Sequence, residues 1–187
     1  MNIQLRTGVA SDATAIHNLI TANLNAGHLL PRTFDDVESH ADRFVVAVAD
    51  DKVIGCGELA PLSPGVAEVR SLVVDEACRG QRAGFALVTA IADRARELGY
   101  GTLCAFTHAP AHFVRLGFSI VPHQWVPEKI AHDCVGCAQF RHCGQYAVTL
   151  PLRAGVGLRL DQTAPPSRSV AAPRASVERL RLLPVTA

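Results

Sequence analysis

No apolar run in this 187-residue chain approaches the ~20 residues needed to cross a bilayer. The opening Met1-Asn-Ile-Gln-Leu-Arg6 also lacks a signal-peptide apolar stretch. A membrane is therefore not an expected partner, and the cytoplasm is the expected location. There is no internal repeat, and no excess charge of one sign: 18 Lys and Arg against 17 Asp and Glu leave a net +1. That balance hides an asymmetry. Residues 1–152 carry 12 Lys/Arg and 15 Asp/Glu, a net of −3, whereas 153–187 carry six Arg against Asp161 and Glu178, a net of +4. The latter stretch is rich in Pro, Ala, Ser and Arg and reads as a disordered tail, with at most a frayed helix over Ser176–Leu183. It lacks the aromatics that interleave with basic residues on nucleic-acid surfaces, so nucleic acid is not an expected partner. The expected organisation is one domain over 1–152 followed by the tail at 153–187.

Two nucleotide-binding patterns are missing as well. No Gly-Lys-Ser/Thr follows Gly84, which removes a Walker loop. The same region has two glycines rather than three, and the next strand ends without a carboxylate, which removes a dinucleotide fingerprint. What is present is a β-branched strand over Val66–Val74, a tight turn, and a glycine-bearing loop opening a helix at Ala83. Leu87, Ala90, Ile91, Ala95 and Leu98 recur at helical spacing, and Leu98-Gly99 supplies the stop. Backbone N–H groups at a helix start converge on an anion, and a diphosphate fits such a site.

The loop Arg79-Gly80-Gln81-Arg82-Ala83-Gly84 resembles the Arg/Gln-x-x-Gly-x-Gly/Ala loop of the GNAT (GCN5-related) N-acetyltransferases, preceded by Val74-Asp75. The segment His112-Phe-Val-Arg-Leu-Gly-Phe118 resembles the short helix and Leu-Gly-Phe turn of the same family. The resemblance implies acetyl-CoA as cosubstrate, held by Leu72, Val73, Val74, Arg79, Gly80, Gln81, Arg82, Ala83, Gly84, Phe85 and Phe113. Arg82 stands where the family usually has a glycine, so it either tolerates a strained conformation or adds a cation.

The remaining elements read as a strand at Ile3–Arg6, a helix capped by Ser11 with Ile16, Leu19, Ile20 and Leu24 on one face, and a break at Gly27. A second helix over Phe34–Ala41 and a hairpin of Phe44–Ala49 with Lys52–Leu59 around Asp50-Asp51 follow. The strand Val66–Val74, the helix from Ala83, a strand at Thr102–Thr107, a helix and one final strand complete the order. The family implies an α/β (α+β) fold, a mixed, mostly antiparallel sheet with helices on both faces.

Further segments resemble the acetyltransferase domain of N-acetylglutamate synthases: Ile16 to Thr33, Val53 to Leu59, Ala67 to Leu72, Phe106 to Phe113 and Val126 to Cys134. That branch implies transfer of acetyl to the α-amine of an amino acid, above all L-glutamate, in arginine biosynthesis. Arg32 is then the carboxylate clamp, with Arg70, Thr107 and Lys129 near the substrate. Glu68 is the candidate base, drawing the amine proton through water; its rival role is an ion pair with Arg70 or cross-strand pairing with Arg43 or Lys52. Backbone N–H groups near Leu72–Val74 are expected to polarise the thioester carbonyl. Many relatives carry a tyrosine at the position of Phe113, so no general acid is evident.

Cys134, Cys137 and Cys143 have ligand-like spacing, with His132 and His142 beside them. A structural zinc, an iron–sulfur set completed by Cys104, reduced thiols and a redox-sensitive clasp all remain open. Cys56 reads as a buried small hydrophobe and Cys78 as a surface loop residue. Other amines as acceptors, a non-catalytic CoA- or metal-sensing module, and a homodimer are the alternatives carried forward.

Overall fold

Alternation along β2 (Phe44–Ala49) sends Val45, Ala47 and Ala49 to one face of a sheet and Phe44 and Val46 to the other, where each set joins a separate core. The computed structural model describes residues 2–24, 29–140 and 142–153. With β2, the strands β1 (Gln4–Thr7), β3 (Lys52–Pro61), β4 (Val66–Val74), β5 (Thr102–Thr107), β6 (Ser119–Val121) and β7 (Tyr146–Pro151) form one seven-stranded sheet. Its order is β1-β2-β3-β4-β5-β7-β6, and only the β4–β5 pair is parallel.

One face carries α3 (Ala83–Glu97), which buries Leu87, Val88, Ile91 and Ala95 against the sheet. The short α4 (Pro110–Val114) joins that face through Phe113, packed edge-on against Phe118 with ring centroids 5.2 Å apart. The other face is covered by α1 (Ala13–Ala22) and α2 (Phe34–Ser39), whose Ile16, Ile20 and Val37 are buried with Phe44, Val46 and Cys56. The expected mixed sheet with helices on both faces is the architecture found. Among the described residues, no helix is long and apolar enough to cross a membrane.

Local chemistry explains the turns. Asp50 and Asp51 both have positive φ, 48° and 59°, which closes the β2–β3 hairpin with the twist its strands require. Between Cys56 and Glu58 the β3–β4 register slips: Cys56 faces Val73, but Glu58 faces Arg70. The extra residue is accommodated on β4 where Ser71 takes a φ of 52°, a bulge in the middle of the sheet.

Four expectations need correction. Ser11 does not cap α1; the chain enters through a 3-10 turn, and Asp12 instead accepts from the Val9 N–H at 2.9 Å while pairing with Arg6. The second helix ends at Ser39, short of Ala41. Two strands rather than one follow α4, and β7 inserts between β5 and β6 and pairs with both. Cys78 is buried rather than a surface residue. The readings at Gly27 and over Ser176–Leu183 lie outside the described residues, as does all of the 153–187 tail after Arg153.

Candidate active site

Pairing between β4 and β5 stops at Glu68–Cys104, although β4 continues to Val74 and β5 to Thr107. The strands part there and open a cleft of about 1110 Å³. Its wall brings together Leu72, Val73, Val74, Arg79, Gly84 and Phe113 from the expected cofactor set. Arg32, Glu68, Arg70, Thr107 and Lys129, from the substrate and catalytic set, line the same cleft. Gly80, Gln81, Arg82, Ala83 and Phe85 form the loop and first helical turn adjoining Arg79 and Gly84.

That loop is shaped by two left-handed residues, Gly80 at φ 85° and Arg82 at φ 61°. Arg82 immediately precedes α3, and its carbonyl accepts the first helical bond, from Ala86 N, at 3.0 Å. The N–H groups of Ala83, Gly84 and Phe85 therefore precede the ladder of a fifteen-residue helix, where its dipole is positive. Arg79 adds a cation beside them and is steadied by donating to Asn23 Oδ1 at 2.7 Å. Of the two readings of Arg82, the strained backbone is the one observed. Left-handed geometry costs a non-glycine residue ~1 kcal/mol. Arg82→Gly should accordingly raise the unfolding free energy by about 1 kcal/mol in urea denaturation.

At Gly84 an added Cβ would lie 3.4 Å from Cε1 of His112, so the helix start is closely lined. His112 was not singled out in the sequence. Its Nε2 is buried with no hydrogen-bond partner among the described residues, and burial lowers its pKa, favouring the neutral imidazole. Phe113 points into the core, consistent with a packing rather than a proton-donating side chain at that position.

The charged side chains around the cleft form two groups. In the first, Glu68 is buried and accepts from Arg70 Nη2 at 2.7 Å and from Lys129 Nζ at 2.8 Å. Asp133 closes the square, 2.5 Å from Arg70 and 2.8 Å from Lys129. Of the ion pairs considered for Glu68, the one with Arg70 is present, and Lys129 supplies the second cation in place of Arg43 or Lys52. Thr107 Oγ1 accepts from Ala109 N at 3.0 Å, which turns the end of β5 into α4.

Asp133 has a distinct acid signature. Burial pushes its carboxyl up, but hydrogen bonds from Lys129 and His132 and the charge of Arg70 prevail and hold it at about 2. A carboxyl held below its unfolded value of ~3.9 stabilises the fold above that value, and the contribution fades as pH falls through about 2. Asp133→Asn should thus flatten the decline in urea midpoint between about pH 4 and about pH 2 relative to the parent protein.

In the second group, Arg32 donates from Nε to Asp36, and from Nη1 to Glu58 Oε2 at 2.6 Å and to Ser71 Oγ at 3.3 Å. Burial works against the Arg32 charge, yet bonds to Glu58 and Asp36 more than restore it. Glu58 is another residue the sequence reading missed. Its only signal is a carboxylate in the middle of the apolar run Val53–Pro61.

The cysteines do not make a metal centre. Among the described residues, no three His, Cys, Asp or Glu side chains are gathered as a ligand set. Cys134, Cys137 and Cys143 are free thiols on the cleft wall, and the zinc considered for them is withdrawn. Cys104 is enclosed with Val121, Val126 and Ala147, and burial pushes its thiol up, so it completes no cluster. Cys56 is fully buried as expected, its thiol pushed up to about 12 by burial and the charge of Glu58.

The unbonded N–H groups at the start of α3, the parted strands and the paired acids and arginines thus meet at one cleft. Residues 13–118 match the Acetyltransferase (GNAT) family, and the chain belongs to that family. It is 29% identical over 148 residues to an uncharacterised N-acetyltransferase of Chlorobaculum tepidum, covering 79% of this chain and 96% of that one. It is 34% identical over 128 residues to the amino-acid acetyltransferase of Shewanella oneidensis, 67% of this chain. The match spans only 29% of that relative's length. Among solved structures, the N-acetylglutamate synthase of Neisseria gonorrhoeae, complexed with coenzyme A and N-acetyl-glutamate, shares the fold with a TM-score of 0.72 at 22% identity, over 82% of this chain and 36% of that one. Rv2747 of Mycobacterium tuberculosis, in complex with CoA and NLQ, gives a TM-score of 0.68 at 26% identity over 80% and 99% of the two chains.

Proposed function

We propose that residues 1–152 form a catalytic domain that transfers the acetyl group of acetyl-CoA to the α-amine of an amino acid, with L-glutamate as acceptor and N-acetyl-L-glutamate as product. The observation that carries this reading is a single cleft lined both by the helix-start anion site and by Arg32, Glu68 and Arg70. The relatives named amino-acid acetyltransferase support the acceptor class.

Acetyl-CoA lays its diphosphate across the N–H groups of the 79–85 loop, and its thioester runs beside β4. The α-carboxylate of the acceptor is taken by Arg32, with Thr107 and Lys129 completing the pocket. Glu68, ion-paired with Arg70 and Lys129, draws the ammonium proton through water. The freed amine attacks the thioester carbonyl, whose oxygen is met by backbone N–H groups near Leu72–Val74. Collapse breaks the C–S bond and expels the CoA thiolate. With Phe113 at the position where many relatives carry tyrosine, the second proton that the nitrogen sheds after attack passes through water to the thiolate. The product fits the first step of arginine biosynthesis, in the cytoplasm.

The test is product identification: incubation with acetyl-CoA and L-glutamate should yield N-acetyl-L-glutamate and free CoA in equal amounts by mass spectrometry. Acetylation of another amine alone would keep the transferase and move the acceptor. That second reading draws on the pairing of Arg32 with Glu58 and Asp36, which occupies two of its nitrogens.

A further inference from the structure

Glu58 has no place in the mechanism above, yet it is among the most deeply buried ionisable side chains of the described residues, 2% exposed. Its hydrogen bond runs to Arg32 Nη1. A buried carboxylate is costly unless it is paired, so its retention under the cleft calls for a reason. The register slip supplies part of one. The bulge that places Glu58 opposite Arg70 also turns Ser71 into left-handed geometry, with its hydroxyl 3.3 Å from the same Arg32 Nη1. Asp36, one helical turn along from Arg32, takes Nε. Three acceptors from α2, β3 and β4 thus converge on one guanidinium. They hold Nε and Nη1 and leave Nη2 as the corner without a partner among the described residues.

We propose that Glu58 is the positioning residue of the acceptor site: it fixes the Arg32 guanidinium on the cleft wall so that Nη2 is presented to the acceptor's carboxylate. This rests on the reading of Arg32 as the acceptor clamp. A long arginine following Pro31 would otherwise sample many rotamers, and each binding event would bear the entropy of ordering it. Pre-ordering by a buried carboxylate removes that cost before the acceptor arrives. Glu58 touches neither reactant, so its effect belongs in acceptor binding rather than in the chemical step.

Steady-state kinetics on the full chain, with acetyl-CoA and L-glutamate varied separately, test the proposal. Glu58→Gln keeps the shape but loses the charge, and should raise KM for glutamate about 10- to 100-fold, the equivalent of one charge-assisted hydrogen bond. KM for acetyl-CoA and the affinity for CoA measured by calorimetry should stay within about twofold. Glu58→Asp retains the charge and the fold but withdraws the carboxylate by one methylene; it should raise KM for glutamate severalfold and recover most of the loss seen with Gln. An Arg32→Ala variant separates the two claims. If Arg32→Ala leaves KM for glutamate unchanged, the clamp reading fails and this inference fails with it. If Arg32→Ala raises that KM while Glu58→Asp and folded Glu58→Gln leave it at the parent value, the clamp stands and the role of Glu58 is overturned. Should Glu58→Gln fail to fold, Glu58→Asp alone decides between these outcomes.

Discussion

Glu68→Gln should lower kcat for glutamate acetylation by about 10²- to 10⁴-fold, the usual contribution of a positioned general base. The amide keeps the shape and one acceptor oxygen but no longer takes a proton. Two cations, Arg70 and Lys129, face this side chain at 2.7 and 2.8 Å, and Asp133 remains to balance them after the change. The fold should therefore persist, and KM for acetyl-CoA should move little, because the 79–85 loop proposed to hold the diphosphate does not include Glu68. Raising the pH should restore part of the lost rate, since the acceptor amine then loses its proton in solution without help. A variant that is slow at every pH by the same factor would point to Glu68 as an ion-pair partner of Arg70 and not as the base. Stopped-time assays of free CoA across a pH series read the difference.

Arg32→Ala should act on binding and on the fold together. Loss of a charge-assisted contact to the acceptor carboxylate should raise KM for glutamate by about 10- to 150-fold. The substitution also strands Glu58, buried at 2% exposure, without its cation. Breaking a buried pair in this way costs ~3–5 kcal/mol, so the urea midpoint should fall sharply. Arg32→Lys divides the two effects. An ammonium still neutralises Glu58 and should recover most of the stability, but it has no planar fork to hold Glu58, Asp36 and the acceptor at once. Stability near the parent with KM still raised is the expected result for Lys. Full recovery of both by Lys would mean that only the charge of Arg32 matters.

The parts of the fold that were legible in the sequence are those with long, uninterrupted periodicity. β4 and β5 were read with the bounds observed, and α3 begins at Ala83 as its apolar spacing indicated. The hairpin around Asp50-Asp51 followed from turn chemistry alone. Only one strand is legible after α4 where two exist, because β6 and β7 are short and the strand character of β7 comes from pairing on both sides with β5 and β6. Residue type alone points to Ser11 as a cap, but the carboxylate of Asp12 reaches the Val9 N–H instead.

The site divides in the same way. The helix-start loop is local, so its glycines announced it, and even the strain at Arg82 was foreseeable from the residue type. Arg32, Glu68, Arg70, Thr107 and Lys129 were found through resemblance, and the parted strands bring them to one cleft. Glu58, Ser71 and Asp133 carry no local pattern; they matter because a register slip and a helical turn bring them to Arg32 and Arg70. The cysteine spacing misled for the complementary reason. Ligand-like intervals in sequence do not by themselves gather side chains, and here three thiols line a wall without forming a set.

The central claim is acetyl transfer from CoA to an amino acid whose carboxylate is clamped in this cleft. Release of free CoA from acetyl-CoA, measured with each of the twenty amino acids and with an amine lacking the α-carboxylate, tests it most directly. The account predicts the highest kcat/KM with L-glutamate and negligible turnover of the decarboxylated amine. Equal or faster turnover of the amine without a carboxylate, or CoA binding with no turnover of any amino acid, would contradict it.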